Sequence, residues 1–244
     1  MIDWLQRAGI DRQAEPEIEI DGAIVPITLR RMKKAKRLTL RLAPDGSEVR
    51  ITLPNWARSS EAIAFAHARR DWLAQQLERV PRRDAPKPGG EVLYRGETLR
   101  IDWSETAPRR PQLGERAVQI GGPVTALEKR LKSWLEIEAL ALFEDDMAEY
   151  CERAELNAVP VGLSRAQKRW GSCSDKARIR LNWRLVQAPD FVRRSVVAHE
   201  VTHLVHFDHS PAFHALLGEI YEGEIQHADR WLKEHGRSLY ASFG

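Results

Sequence analysis

Between residues 38 and 53 apolar and polar positions alternate. Leu38, Leu40 and Leu42 are separated by Thr39 and Arg41, and Val49, Ile51 and Leu53 by Arg50 and Thr52. A period of two turns one face to a core and the other to water. Pro44-Asp45-Gly46 supplies turn chemistry between the runs, so the segment predicts a β-hairpin. Ile24 to Leu29 predicts a neighbouring strand. The period then lengthens: after Ser59-Ser60-Glu61, the residues Ile63, Ala66, Trp72, Leu73 and Leu77 predict one helix with a serine cap. Pro81 to Gly90 is a break. Val92 to Tyr94 and Thr98 to Trp103, around Arg95-Gly96-Glu97, predict a second hairpin, and Val118-Gln119-Ile120 a last strand.

Beyond Gly121-Gly122-Pro123, the expected domain boundary, the pattern becomes helical. From Thr125 to Leu156 the residues Leu127, Leu131, Trp134, Leu135, Ile137, Leu140 and Phe143 fall near helical spacing. Shorter strand-like pieces follow at Val159 to Leu163 and Arg178 to Val186. Pro189-Asp190 predicts the start of a further helix, with Asp190 as its cap. Val192, Val196, Val197, Val201, Leu204 and Val205 make that helix apolar almost all round, which predicts burial. The expectation is an α+β protein with a strand-rich domain over 1–122 and a mainly helical domain with a small sheet over 123–244. The sequence has no evident internal repeat.

Composition narrows the classes. The 244 residues are 43% hydrophobic and 30% charged, as in ordinary globular chains. No apolar run nears the roughly 18 residues of a membrane span, and Met1 to Arg7 is too polar for a secretory signal; a cytoplasmic protein without a membrane partner is expected. Cys151 and Cys173 form neither a disulfide framework nor a CxxC pair. The net charge of +3 permits an acidic partner without demanding one. Arg30 to Arg41 holds seven Lys or Arg and no acid. Contact with nucleic-acid phosphates is one reading; a solvated, charge-protected strand is favoured, because the stretch lacks aromatics for stacking.

The chemistry concentrates in His199-Glu200-Val201-Thr202-His203, an HExxH motif inside the apolar helix. Residues four apart share a helix face, so His199 and His203 can converge on one ion while Glu200 reaches a water beside it. Two histidines and a glutamate among valines are costly to bury without partners, and a metal provides one. The competing account is two core histidines bonded to backbone and a surface glutamate. A catalytic zinc takes a third protein ligand and keeps an open position. His206 would sit a turn along the axis. His209 lies past the helix end, before the cap-and-first-turn pair Ser210-Pro211, and is the expected ligand. His214 is the runner-up, and Glu219, Glu222 and Glu224 are less favoured.

These residues carry a resemblance. Trp170-Gly171-Ser172-Cys173-Ser174, Arg178 to Leu185, Ala188-Pro189 and His199-Glu200-x-x-His203-x5-His209-Ser210-x-x-Phe213 resemble the YgjP-type metallopeptidase domain, a family similar to the SprT and WLM zinc proteases. The likeness is strongest over about residues 125 to 240. It implies a zincin-like, SprT-like (minigluzincin) fold for the second domain, Zn2+ on His199, His203 and His209, and a catalytic Glu200. One departure is His214, where relatives carry Trp. The resemblance does not bring one substrate with it, since some relatives carry a peptidase and others a nucleotide-pyrophosphatase label.

A peptide or protein substrate is expected first, with Arg169, Trp170 and Asn182 against it. The alternatives are a metal-dependent nucleotide pyrophosphatase and a non-enzymatic nucleic-acid module with structural zinc. Arg169, Tyr221 and His214 are candidates to stabilise an oxyanion. Residues Arg178 to Val186 are either a cleft-side strand that pairs with a peptide or an inner strand under the helix. Cys173 has no base near it in sequence and is not expected to be a nucleophile.

Overall fold

The computed structural model of the chain describes residues 16–78, 80 and 84–243. The Met1 to Arg7 stretch and the start of the Pro81 to Gly90 break lie outside them. By compactness the chain divides into two units, Met1–Val80 and Pro81–Gly244.

In the first unit, β1 (Glu17–Ile20) and β2 (Ala23–Arg31) form a hairpin that the alternation analysis did not predict. Its two-residue turn, Asp21-Gly22, has φ of 49° and 80°, the left-handed conformations a tight hairpin turn requires. The predicted hairpin is present as β3 (Thr39–Leu42) and β4 (Val49–Leu53). In its turn the Asp45 carboxylate accepts from the Ser47 amide at 3.1 Å and hydroxyl at 2.7 Å. The sheet order is β1-β2-β4-β3, with β2 parallel to β4. Ile18, Ile27, Ile51 and Leu53 are buried against Ala62, Ala66 and Leu73.

Those last residues belong to two helices, α1 (Ser59–His67) and α2 (Arg70–Glu78), where one was predicted. The apolar stripe skips a turn through Arg69, Arg70 and Asp71, so the chain breaks there. The serine cap also gives way: Arg58 occupies the cap position, and its amide donates to the Glu61 carboxylate at 3.1 Å. Within the basic run, the Arg31 guanidinium donates to the Ala57 carbonyl at 2.7 Å and the Ser59 hydroxyl at 3.1 Å, tying down the loop before α1.

The second unit opens with β5 (Glu91–Tyr94) and β6 (Glu97–Ser104), the predicted hairpin around Arg95-Gly96. It continues through β7 (Gln112–Leu113) and β8 (Ala117–Gly121). The order β5-β6-β8-β7, with its antiparallel, parallel and antiparallel pairings, repeats the strand plan of the first sheet. This recurrence lies in topology, not in a readable sequence repeat.

The expected boundary at Gly121-Gly122-Pro123 falls inside this unit. Val92, Leu99, Ile101, Val118 and Ile120 share one core with Leu131, Leu135 and Phe143 of α3 (Leu127–Arg153), which makes the sheet and the helices one packed body. Gly121 is a close-packing position: a Cβ there would fall 1.8 Å from the Ala107 carbonyl oxygen.

A three-stranded sheet of order β10-β11-β9 follows, built from β9 (Val161–Ser164), β10 (Gly171–Cys173) and β11 (Ile179–Asn182). β11 is its central strand and ends at Asn182. The predicted continuation to Val186 is instead a 3-10 turn, Trp183–Gln187, and of the two readings of this stretch the inner strand is the one observed. Three helices complete the unit: α4 (Asp190–Thr202), α5 (Pro211–Ile220) and α6 (Ile225–His235). Pro189 caps α4, and Asp190 is its first helical residue rather than its cap. No described helix is long and apolar enough to cross a membrane.

Candidate metal centre

The helix carrying HExxH ends one residue before its second histidine. α4 stops at Thr202, and His203 is the C-cap, still in helical conformation at φ −67°. His199 and His203 therefore keep the one-turn spacing of a helix face, and the chain is free to leave directly after them. It returns at His209, fixed where Ser210 caps α5 by accepting from the Phe213 amide and Pro211 occupies the first turn.

The ligating nitrogens of His199, His203 and His209 lie within 4.8 Å of one another. The Nε2 atoms of His199 and His209 are 3.3 Å apart. Two nitrogens on one tetrahedral zinc are separated by about 3.3–3.4 Å at ordinary Zn–N lengths, so this pair fits a shared ion. His203 Nδ1 lies 2.9 Å from the His206 carbonyl oxygen; donating there holds the ring and leaves Nε2 free, the usual outer-shell arrangement of a metal-bound imidazole. Phe213 packs beneath all three rings, with centroids 4.9, 4.7 and 4.8 Å from those of His199, His203 and His209.

Glu200 is 6% exposed and its Oε2 is buried without a hydrogen-bond partner. Burial raises its carboxyl pKa to about 7, and the positive charge of Arg169 opposes that shift. Burial, with the neighbouring His203 and His209, pushes the His199 pKa down to about 4. Three converging imidazoles and an orphaned, buried carboxylate oxygen beside them form a donor set suited to a divalent cation with one neighbouring proton acceptor.

Glu200 faces the sheet edge. A Cβ on Gly171 of β10 would fall 2.4 Å from Glu200 Oε1, so only glycine lets this edge strand approach so closely. A cavity of about 260 Å³ opens beside His199 and Glu200, with Trp170 and Gly171 on one side and Val196, Ile225 and Leu232 forming its apolar wall. Arg169 and Asp229 bring one charge of each sign to it.

Of the residues expected against substrate, Arg169 and Trp170 line this cavity. Trp170 also packs on Tyr240, with centroids 6.0 Å apart. Asn182 does not. Its side chain is fully buried, donating to the Ala166 carbonyl at 2.8 Å and accepting from the Arg184 amide at 3.1 Å; it caps the turn after β11. Tyr221 is likewise committed, its hydroxyl donating to the Phe191 carbonyl at 2.8 Å. Glu222 is held by Arg153, Arg194 and Tyr150, which removes it as a metal ligand. His214 is exposed, with its ring centroid 6.4 Å from that of His209. Burial and the charge of Glu200 raise the Cys173 thiol pKa, the opposite of an activated nucleophile. Sequence reasoning passed over Ile225, Leu232 and Asp229 because nothing ties α6 to α4 along the chain. Gly171, by contrast, stands within Trp170-Gly171-Ser172-Cys173-Ser174.

Three imidazoles from an HExxH helix and its exit loop, with a free carboxylate beside them, define the site class of a metallopeptidase. The comparison with protein families agrees. The family model described as the YgjP-like metallopeptidase domain matches residues 36–235, and the chain belongs to that family. No curated protein and no solved structure matched the chain.

Proposed function

We propose that the chain is a zinc-dependent peptidase in which His199, His203 and His209 hold the ion and Glu200 is the general base. One observation carries this reading: three imidazoles converge beside a buried carboxylate oxygen that has no other partner. Zinc bound there would lower the pKa of a water toward neutrality and polarise a carbonyl.

The chain's own groups supply the rest. Glu200 Oε2 takes the proton and returns it to the leaving amine, a transfer suited to a carboxylate tuned by burial toward the working pH. The His206 carbonyl and Phe213 hold the imidazole rings in place. β10 is the outer strand nearest Glu200, and an extended peptide paired to it would present its scissile bond to the site. Arg169 is the cleft cation assigned to the developing oxyanion.

The cavity favours a peptide over a nucleotide. A triphosphate needs several converging cations, whereas the walls are aliphatic and the two charges offset each other. The experiment compares zinc-loaded wild type with Glu200→Gln on casein and on nucleoside triphosphates. Casein cleavage should fall by on the order of 10²–10⁴ in Glu200→Gln with zinc content unchanged. Triphosphate hydrolysis that depends on Glu200, without peptide cleavage, would replace this reading. Full peptidase activity in Glu200→Gln would remove the proposed base.

A further inference from the structure

A cavity of about 540 Å³ shares no lining residue with the metal cleft. It lies between the first half of α3 and the β7 edge of the second sheet. Ile137 belongs to the predicted apolar stripe of α3 yet is 64% exposed, and Leu113 across from it on β7 is 51% exposed. Both line the cavity. Exposed apolar side chains gathered in a concavity mark a binding surface more often than an accident of composition.

The polar lining is one-sided. Arg109, Arg110, Lys129 and Arg130 all border the cavity. Among the described residues none of them is paired with a carboxylate, and the buried Nε of Arg130 has no partner. Glu138, the one acid in the lining, is already occupied: it accepts from the Tyr94 hydroxyl at 2.9 Å and the Trp134 indole at 3.1 Å. The surface thus presents an aliphatic floor under an excess of positive charge.

We propose that this groove is a docking site for an acidic peptide segment carrying one bulky apolar side chain. The apolar side chain enters between Leu113 and Ile137, and flanking carboxylates meet the guanidinium groups. β7 is the outermost strand of its sheet, so a peptide backbone has an edge to pair with, which nucleic acid lacks. Base stacking is poorly served, since Trp134 is 6% exposed and its ring is stacked on Tyr94 at 5.2 Å. A concave pocket also suits one inserted side chain better than a lipid surface.

The test uses the full chain carrying Glu200→Gln, so that no probe is cut, and fluorescence anisotropy. The probe is a labelled Asp-Glu-Phe-Glu-Asp peptide; its Ser-for-Phe analogue, a Lys-Lys-Phe-Lys-Lys peptide, a dT12 oligonucleotide and phosphatidylcholine–phosphatidylglycerol vesicles are the comparisons. The acidic Phe peptide should bind at least about tenfold tighter than either comparison peptide, and Arg109→Glu/Arg110→Glu and Ile137→Glu should each weaken it by about tenfold or more. Both variants change exposed side chains, and unchanged melting temperatures will exclude misfolding. No binding of the peptide, affinity that both variants retain, or tighter binding of the oligonucleotide or vesicles that the variants abolish would overturn the proposal.

Discussion

At the start of α4, Arg193 and Arg194 are surrounded by acids. Arg193 is 3% exposed and meets Asp146 at 2.7 Å and Asp190 at 2.5 Å. Arg194 reaches Asp146 at 3.1 Å, Glu149 at 2.8 Å and Glu222 at 2.6 Å. About two turns later on the same helix, Glu200 is buried much as Arg193 is but its Oε2 has no partner, and His199 has another imidazole nitrogen near its Nε2. Identical secondary structure and similar burial hold polar groups in two states. The first cluster is closed: every charge has an answering charge, and its work is to hold α4 against α3. The second is open, and only something from outside the chain completes it.

The largest effect should come from opening the closed cluster. Arg193→Met leaves Asp146 buried with less compensation, and should cost on the order of 3–5 kcal/mol in urea denaturation, toward the lower end because Arg194 still reaches Asp146. Replacing both partners, as Asp146→Leu/Arg193→Met, should recover most of that loss, since no buried charge is then stranded. A double variant no more stable than the single one would mean that the pair is needed for more than its own neutralisation.

Closing the open cluster should act in the opposite direction. Zinc at about 100 times its Kd should stabilise the wild type by about 2.7 kcal/mol, read as a rise in melting temperature. His209→Ala should lose most of that rise, whereas Arg193→Met, although weaker, should keep it. Equal stabilisation of His209→Ala would break the three-imidazole assignment.

Much of the open cluster was legible in sequence because its parts are local. HExxH needs only a helix, and His209 is fixed by the cap that Ser210 forms three residues before Phe213. The hairpins were legible where turn residues punctuate alternation, although β1 is too short for its alternation to stand out. The closed cluster was not legible: Asp146 and Arg193 are far apart in the chain, and only the packing of α3 on α4 brings them together. The same blindness made Asn182 look like a cleft residue and left α6 out of the cleft. The expected boundary falls within the second compact unit because glycine pairs mark linkers and close approaches alike, and Gly121 serves the latter.

A smaller effect probes how narrowly Glu200 is placed. Gly171→Ala puts a methyl 2.4 Å from Oε1 and 2.6 Å from Cγ of Glu200, so the carboxylate must move. The displacement should lower kcat by about tenfold to a hundredfold, the kinetic equivalent of a 1–3 kcal/mol steric misfit. Zinc content should stay at the wild-type level, because the three atoms nearest that position all belong to Glu200 rather than to an imidazole. Loss of zinc together with activity would instead show that β10 supports the metal ligands themselves.

The smallest effect separates the two clusters by pH. Burial alone would raise the Glu222 pKa, but hydrogen bonds from Arg194, its own backbone, Tyr150 and Arg153 outweigh it and hold it down at about 2. Hydrogen bonding from Arg194 likewise lowers the Glu149 pKa. A folded pKa below the unfolded one means that the unfolded chain binds protons first as pH falls. The stabilisation is therefore fully present above the ordinary carboxylate value of 4.5 and is lost between there and about 2. Because Glu222 is half exposed, solvent screening keeps the change modest. Urea midpoints of the zinc-free protein should decline from pH 5 to pH 3, with a shallower decline in Glu222→Gln, whose side chain cannot titrate. Parallel declines would mean that acid attacks the fold through other groups, among them His199 with its pKa of about 4, and that the network around Arg194 is not where this protein stores its acid-labile stability.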